Sequence, residues 1–353
     1  MVSPHQSRVR STASPPRRSL KKVQTLDSPA KGKAKPPTKI KFPVIKMFLG
    51  IDTSCYTTSV AAVKDKTLIS DERILLDVPD GKCGLRQSEG VFLHVRNFPQ
   101  VLEKARVCFD GLKAISVSAY PRRVDGSYMP VFTAGVSFAK TVATSTGAKL
   151  FLQSHQENHI AAAVYTTGFN DENPFLAVHI SGGTTEILLC KKDERGYTAE
   201  IAGKTLDVSA GQFIDRIGVL GGEKFPAGKA MDAFARRGDI KLPVSVKGSD
   251  INFSGAETAA KRMICDENKL EVYYAVFECV AKSLCKAIDS ALKETGAKSV
   301  LMVGGVSSNS VIRSILENKF EEKIQLCAPE FSADGAVGNA FLAGKRWIFG
   351  ERS

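Results

Sequence analysis

The chain has 353 residues, 43% of them hydrophobic and 24% charged, which excludes a fibrous or wholly disordered protein. No apolar run approaches the roughly 18–20 residues that a membrane-spanning helix needs. The first 46 residues contain no apolar core of the secretory kind. The eight cysteines are scattered without a C-x-x-C pair, which favours reduced thiols over disulfides or a thiolate zinc site. These features predict a cytoplasmic protein.

The net charge of +12 is concentrated at the amino terminus. Residues 1–46 contain twelve Lys or Arg and one acid, Asp27, so this segment has a net charge of +11 and the rest has +1. A surface that binds nucleic acid therefore cannot be inferred from the isoelectric point. The segment is also rich in Pro, Ser and Lys, which predicts a disordered basic tail. It is either an arm that binds polyanions or a solvated extension upstream of Met47.

The apolar pattern after Met47 predicts alternating strands and helices. Two apolar runs over 48–63, joined by a small polar turn, are typical of a β-hairpin. The pattern then predicts, in chain order, a helix over about 91–107, a strand over 114–118, a loop over 121–130, a helix over about 131–146, a strand over 150–153 and a helix containing His155 and His159.

A second half begins with the same kind of opening. A strand over 175–180, a turn over 181–185 and a strand over 186–190 repeat the first hairpin, and a strand over 300–303 later runs into Gly304-Gly305-Val306 and a helix. This repetition predicts a duplicated α/β domain with a cleft between its halves. The predicted boundaries are a tail over 1–46, a first half over 47–153 and a second half over 154–345.

The histidine pair is the first motif that could carry chemistry. His155 and His159 are four residues apart on one helix face, with Cβ atoms about 5–6 Å apart, and neutral imidazoles at that spacing can share one divalent metal. Two surface histidines without a metal are the alternative. Glu157 stands two residues after the first histidine, so the motif is not the H-E-x-x-H of zinc peptidases.

Three small-residue turns indicate nucleotide binding. The turn Ser181-Gly182-Gly183-Thr184-Thr185 lies between two predicted strands, where its backbone N–H groups could cradle a phosphate. The turn that begins at Asp52 holds the matching place in the first half, and Gly304-Gly305-Val306 lies between a strand and a helix. Each turn alone is more often a simple connection. The chain has no P-loop and no strand-linked G-x-G-x-x-G.

Acidic residues also stand among glycines and small residues. Asp207 and Asp215 flank Ser209-Ala210-Gly211-Gln212, and Asp334 lies in Ser332-Ala333-Asp334-Gly335-Ala336. An Asp in such a turn can ligate a metal or bind a ribose hydroxyl. A helix cap or a turn residue is the more common role for a lone Asp.

Taken in order, these segments resemble one family over nearly all of residues 47–345. The family is the tRNA threonylcarbamoyladenosine transferases, the TsaD-like proteins once called glycoproteases or O-sialoglycoprotein endopeptidases. The resemblance implies their duplicated actin/Hsp70/sugar-kinase fold, in which 47–153 and 154–345 are the two actin-like subdomains. The motifs that carry it are Gly50-Ile51-Asp52-Thr53-Ser54-Cys55, the H-x-E-x-H at 155–159, Ser181-Gly182-Gly183, Ala210-Gly211-Gln212-Phe213-Ile214-Asp215, Phe225-Pro226-Ala227-Gly228, Asn252-Phe253-Ser254-Gly255, Gly304-Gly305-Val306-Ser307-Ser308-Asn309 and Asp334-Gly335-Ala336.

The resemblance implies a metal, iron or zinc, held by His155, His159 and Asp334. His179 takes the place of a tyrosine ligand found in archaeal and eukaryotic members, and it is a candidate fourth ligand or a strand residue facing the cleft. ATP or threonylcarbamoyl-AMP is the implied nucleotide. No general acid or base is assigned by the resemblance. The implied nucleotide or substrate contacts are Asp52, Ile180, Ser181, Gly182, Gly183, Asp215, Gly228 and Asn309.

The implied activity is that of an acyltransferase, which moves threonylcarbamoyl from its AMP adduct to an adenine amine of tRNA. The implied partners are tRNA and the proteins of the tRNA-modification complex. The chain departs from the family where Tyr56-Thr57-Thr58 replaces the usual Asp-Glu-Thr, where Asp52 replaces Glu, and where Pro121-Arg122-Arg123 begins a longer loop. A non-catalytic ATP- and metal-binding paralogue that acts through protein partners is therefore the alternative. A metallopeptidase is the third hypothesis.

Overall fold

The structure is a computed structural model that describes residues 46–54, 56–78 and 84–350. The predictions for residues 1–45 and for Cys55 lie outside this part. The first half, together with the first helix of the predicted second half, contains one mixed five-stranded sheet and three helices. Its elements are β1 (Met47–Asp52), β2 (Thr57–Lys64), β3 (Thr67–Leu75), α1 (Gln87–Ala105), β4 (Leu112–Tyr120), α2 (Phe132–Thr146), β5 (Lys149–Ser154) and α3 (His155–Thr167).

The second half contains another mixed five-stranded sheet, a two-stranded ribbon and seven further helices in the described residues. Its elements are β6 (Phe175–Ile180), β7 (Thr185–Lys192), β8 (Tyr197–Lys204), α4 (Ala210–Leu220), α5 (Gly228–Phe234), β9 (Ser245–Lys247), β10 (Asp250–Asn252), α6 (Ser254–Met263), α7 (Lys269–Thr295), β11 (Val300–Val303), α8 (Ser310–Phe320), β12 (Ile324–Leu326), α9 (Pro329–Ser332) and α10 (Val337–Gly350).

The two large sheets have the same topology, which confirms the predicted duplication. Their strand orders are β3-β2-β1-β4-β5 and β8-β7-β6-β11-β12. In each sheet the first three strands form an antiparallel meander, and the last two run parallel to the first. The hairpin predicted over 48–63 is β1 and β2, paired from Met47 opposite Lys64 to Asp52 opposite Ser59.

The strands are apolar on both faces because both faces of each sheet are covered. Leu49 of β1 packs towards α1 and α2, whereas its neighbour Phe48 packs towards α10. The second sheet is covered by α4, α6, α7 and α8 on one side and by α3 on the other. Helices α3 and α10 also pack against each other, so they form the layer between the two sheets.

The carboxyl-terminal helix belongs to the first sheet as much as to the second half. α10 packs against β1, β2 and β4, although the predicted second half included most of it. Its close approach to β1 is made at Gly50, where an added Cβ would overlap the Ala336 carbonyl oxygen and lie 2.5 Å from the Ala340 nitrogen. None of the described helices has the length and apolar character to span a membrane.

We expect Gly50→Ala to destabilise the protein by about 1–3 kcal/mol, because the methyl group has no room between β1 and α10. Denaturant unfolding of the full chain measures this change. Gly255→Ala is the control: this residue of α6 is exposed, and no atom lies within 4 Å of its added Cβ. Equal stability of the two variants would contradict the packing of α10 on β1.

Candidate functional site

The histidine pair lies in the first turns of α3 because a capping box sets where this helix begins. The Ser154 hydroxyl accepts a hydrogen bond from the Glu157 N–H at 3.1 Å, and the Glu157 carboxylate accepts one from the Ser154 N–H at 3.0 Å. His155 is therefore the first residue of the helix, and His159 follows one turn later on the same face. The S-x-x-E spacing at 154–157 is a sequence signal that could have predicted this start.

Asp334 completes a group of three possible metal ligands with these histidines, and their ligand atoms all lie within 4.8 Å of one another. The Nε2 atoms of His155 and His159 are 3.0 Å apart, and the Oδ1 atom of Asp334 lies 3.5 and 3.2 Å from them. Three donors at about 2.1 Å from one ion stand about 3.0–3.4 Å apart, so the spacing fits a shared metal.

The charges of the cluster also fit a divalent cation. Asp52 and Asp334 together carry two negative charges among imidazoles, and buried charges require compensation. Without a metal, a proton on His155 supplies part of it: burial alone would lower the pKa of His155, but Asp52 and Asp334 raise it to about 10. Burial and the neighbouring His155 lower the pKa of His159, which favours the neutral form that binds metals.

His179 stands beside this group rather than within it. Its ring centroid lies 4.8 Å from that of His159 and 6.4 Å from that of His155. Its buried Nε2 atom has no hydrogen-bond partner among the described residues. Burial, followed by the two neighbouring histidines, holds its pKa well below the usual range, so the ring is neutral. A buried imidazole nitrogen without a hydrogen-bond partner is a suitable ligand for a metal ion.

Glu157 does not face the metal candidates. One of its carboxylate oxygens is engaged by the Ser154 N–H and hydroxyl, and the other lies 3.3 Å from the Arg123 guanidinium. Arg123 also binds Asp193 at 3.1 Å. The carboxylate is thus fully used by the helix cap and the ion pair, and this arrangement argues against a peptidase in which Glu157 would activate water.

The turn after β6 exposes two glycines to open space. The Ser181 N–H donates to the Thr184 carbonyl at 2.8 Å, which closes the turn. Gly182 and Gly183 are exposed, and a Cβ added to either would meet no atom within 4 Å. In contrast, a Cβ at Gly211 of α4 would overlap the Ser181 carbonyl and lie 2.5 Å from the Cα of Gly182. Helix α4 therefore packs against one side of the turn backbone, and the other side faces open space.

Asp215 of α4 has a local structural role at the start of α5, in keeping with the helix cap that the sequence analysis left open. Its Oδ1 atom accepts a hydrogen bond from the Ala227 N–H at 2.8 Å, directly before Gly228 begins α5. Burial raises its pKa to about 6, although the backbone N–H groups of Ala227 and Gly228 oppose this effect. The side chain also lines a pocket of about 280 Å³ together with Gly182 and Gly183.

Asn309 and Gly304 follow β11, the strand that neighbours β6 on the side opposite β7. Asn309 caps α8 through its Oδ1 atom, and its buried Nδ2 atom has no partner among the described residues, which leaves a donor for a ligand. A Cβ at Gly304 would overlap the Ile180 carbonyl, so these two backbones are in contact. Ile180 is fully buried, and its side chain belongs to the core. Only its backbone is placed to contact a nucleotide.

Two contacts join the halves, one of them at this pocket. The ring of Tyr56, in the turn after β1, stands edge-on to Phe225 with centroids 5.6 Å apart, and both residues line the pocket. Arg122, in the loop after β4, forms an ion pair with Glu186 of β7. Both contacts involve segments where the sequence analysis expects departures from the family pattern.

Asp52 lies next to the histidines and away from the glycine turn. Its side chain is 0% exposed, and its Oδ1 atom lies 3.2 Å from Nδ1 of His155. Its other oxygen accepts hydrogen bonds from the N–H and hydroxyl of Ser54. Both carboxylate oxygens of Asp52 thus have partners within the chain, and its contact with a nucleotide stays a prediction.

Asn158 is a site residue that the sequence analysis missed. Its Nδ2 atom donates to the Gly335 carbonyl at 2.6 Å, and its Oδ1 atom accepts from the Asn339 N–H at 2.8 Å. Both partners belong to the segment that follows Asp334, so Asn158 holds this carboxylate against the helix of the histidines. No local signal predicts such a contact, because the partners are more than 170 residues away along the chain.

Comparison with known proteins gives one consistent family. Residues 94–341 match the family model described as tRNA N6-adenosine threonylcarbamoyltransferase. A protein of that name from Thermosipho africanus is 29% identical over 314 residues, which are 82% of this chain and 91% of the relative. Another from Staphylothermus marinus is 30% identical over 315 residues, covering 83% and 90% of the two chains.

Solved structures share the fold at low sequence identity. T. kodakarensis HypF superposes with a TM-score of 0.59 and 15% identity over 87% of this chain and 48% of its own. Component A of the Acidaminococcus fermentans (R)-2-hydroxyglutaryl-CoA dehydratase has a TM-score of 0.54 and 16% identity over 86% and 99%. Because the family model covers more than half of the chain and the two sheets repeat one topology, the chain belongs to the tRNA N6-adenosine threonylcarbamoyltransferase family, as a diverged member with the duplicated actin/Hsp70/sugar-kinase fold.

Proposed function

We propose that the chain transfers a threonylcarbamoyl group from its AMP adduct to the N6 amine of an adenosine in tRNA, with a divalent metal bound by His155, His159 and Asp334. The observation that carries the proposal is the spacing of these three ligand atoms, 3.0 to 3.5 Å apart. They come from two segments of the chain, in which His159 and Asp334 are 175 residues apart. Both segments lie within the residues that match the threonylcarbamoyltransferase family model.

The chain supplies a binding site for the adenylate next to this cluster. Gly182 and Gly183 present backbone N–H groups on an open turn, which suits a phosphate. Asp215 is placed in the adjoining pocket, where a carboxylate can accept a hydrogen bond from a ribose hydroxyl. The unpartnered Nδ2 atom of Asn309 offers a donor to the same ligand from the other side of β6.

When bound, the metal supplies a Lewis acid that stabilises negative charge on a phosphate or carbonyl oxygen. The residues of the chain bind and orient. The side chains of Tyr56 and Phe225 cover the pocket between the halves, and such a cover excludes the water that would hydrolyse an activated carbamoyl group. ATP and threonylcarbamoyl-AMP are the proposed nucleotides, and iron or zinc suits the nitrogen and oxygen donors. We expect the protein to act in the cytoplasm.

A surface that binds tRNA needs positive charge beyond the adjacent basic residues Arg122-Arg123 and Lys261-Arg262 of the folded body. Arg122 pairs with Glu186, Arg123 with Glu157 and Asp193, and Lys261 with Glu257, so these cations are partly neutralised. The basic tail over 1–46 or the protein partners of a tRNA-modification complex would then neutralise the phosphates.

A second function is favoured by the contacts that join the halves. Tyr56 stands against Phe225 and Arg122 against Glu186, and both pairs restrain the cleft. No carboxylate is present at positions 56–58, where Thr58 instead bonds to His94 at 2.9 Å. These features suit a paralogue that binds ATP and metal without transferring a group, and that acts through protein partners.

We expect His159→Ala to reduce modification of tRNA at least about 100-fold, because loss of residues that merely support a metal ligand costs about 10–100-fold. The full chain is incubated with threonylcarbamoyl-AMP, unmodified tRNA and the partner proteins, and the digested nucleosides are analysed by mass. Lys319→Ala, an exposed residue of α8, is the control. A wild-type chain that forms no product but still binds ATP and metal would support the second function.

We expect Gly183→Ala to leave the free energy of unfolding within about 0.5 kcal/mol of wild type, since the methyl group meets no protein atom. It should weaken ATP binding at least about 10-fold, because the methyl group stands where a phosphate would approach the backbone. Calorimetric titration with ATP measures the affinity. Gly211→Ala is the contrast, which should destabilise the fold instead. Unchanged ATP affinity of Gly183→Ala would contradict the proposed phosphate site.

We expect Asp215→Asn to stabilise the protein at about pH 8 but not at about pH 4. The carboxyl has a pKa of about 6 in the folded state against its usual 3.8, so its protonated form stabilises the fold and this contribution is lost as the pH rises through that range. The variant should gain up to about 3 kcal/mol above pH 6. Denaturant unfolding at both pH values tests this. A gain of equal size at both values would show that burial of the charge is not the cause.

The same variant should bind ATP less tightly, since an amide is a weaker acceptor than a carboxylate for a ribose hydroxyl. Higher stability together with lower affinity is the result expected of a binding residue. Wild-type affinity would restrict Asp215 to capping α5.

A further inference from the structure

The carboxylate of Asp52 faces His155, which is one of the proposed metal ligands. This carboxylate is 0% exposed and therefore out of reach of substrate or solvent. Its Oδ1 atom faces Nδ1 of His155 at 3.2 Å. On the opposite edge of the same ring, Nε2 faces His159 and Asp334. One imidazole thus separates the buried carboxylate from the proposed metal position.

This arrangement determines which ring nitrogen carries the proton. A carboxylate accepts a hydrogen bond, so the proton of neutral His155 resides on Nδ1 and the lone pair resides on Nε2. The lone pair then points to the place where the other two ligand atoms converge. With the opposite tautomer, an N–H group would point at the Nε2 atom of His159, 3.0 Å away, and at the Oδ1 atom of Asp334, 3.5 Å away. No lone pair would then be offered to a metal on that side, so metal binding selects the Nδ1–H form that Asp52 accepts from.

The carboxylate is itself held in place from three directions. Ser54 donates its N–H and hydroxyl to the Oδ2 atom of Asp52, and Ser118 forms a further hydrogen bond to the carboxylate. The Ser118 hydroxyl in turn accepts from Asn339 of α10 at 2.9 Å. The orientation of His155 is therefore coupled to β1 and β4 of the first sheet and to α10, which packs on α3.

We propose that Asp52 is a positioning residue that orients His155 and holds its Nδ1–H tautomer for metal binding. The inference rests on the metal site of the proposed function, and it concerns metal affinity rather than nucleotide contact. Asp52 lies at the end of β1 while His155 begins α3, so the interaction also couples the ligand set to the strand that opens the fold.

The test measures Co²⁺ binding by the full chain in competition with a chromophoric chelator, and it records the visible absorption of the bound ion. Asp52→Asn has the same shape but lacks the charge, and Asp52→Ala lacks the hydrogen bond. We expect both variants to bind Co²⁺ about 10–100-fold more weakly than wild type, with altered absorption bands that report a changed ligand geometry. Asp171→Asn, which removes a carboxylate bound to Tyr197 and Lys192, is the matched control and should bind Co²⁺ as wild type does.

The outcomes separate this inference from the proposed metal site. Wild-type affinity and absorption in Asp52→Asn and Asp52→Ala, together with loss of binding in His159→Ala, would overturn the role of Asp52 and leave the metal site standing. Failure of the wild-type chain to bind Co²⁺ would overturn the metal site and this inference with it. Thermal unfolding in the presence of chelator identifies a misfolded variant, and the isosteric Asp52→Asn then decides the matter if Asp52→Ala does not fold.

Discussion

Two carboxylates and three imidazoles are buried together between the halves of this protein, and the rest of the structure depends on how their charges are satisfied. Asp52 comes from the end of β1, the histidines His155 and His159 from α3, and Asp334 from the segment before α10. Buried charges that lose one partner are strongly destabilising. Both sheets and the layer of α3 and α10 contribute to the cluster, so its charges find their partners only in the folded arrangement.

Helix starts place the polar groups around this cluster. Ser154 caps α3, Ser209 caps α4 and Asn309 caps α8, each through a side-chain oxygen that accepts from a backbone N–H three residues later. In each case the cap directly precedes or belongs to a motif of the candidate site. These motifs thus begin helices, and the amino end of a helix is where its dipole favours anions such as the proposed phosphate.

Two segments where the sequence analysis expects departures from the family pattern contact the second half. Tyr56 packs against Phe225, and the loop that begins at Pro121 binds the second half through Arg122 and Arg123. A carboxylate at position 56 would be desolvated against the Phe225 ring, so tyrosine suits this closed contact better. Aromatic and ionic contacts accordingly bridge the cleft between the halves.

Local patterns in the sequence determined the β1–β2 hairpin, β6, β11, the helical setting of the histidines and the duplicated architecture, because strand and helix periodicities are properties of neighbouring residues. The region between β8 and β11 was not predicted in any detail. Only the tertiary structure placed Asp334 beside the histidines by contact and turned Asp52 towards His155. These outcomes depend on contacts between residues 100 or more positions apart and on the competition of buried polar groups for partners, which no local pattern encodes.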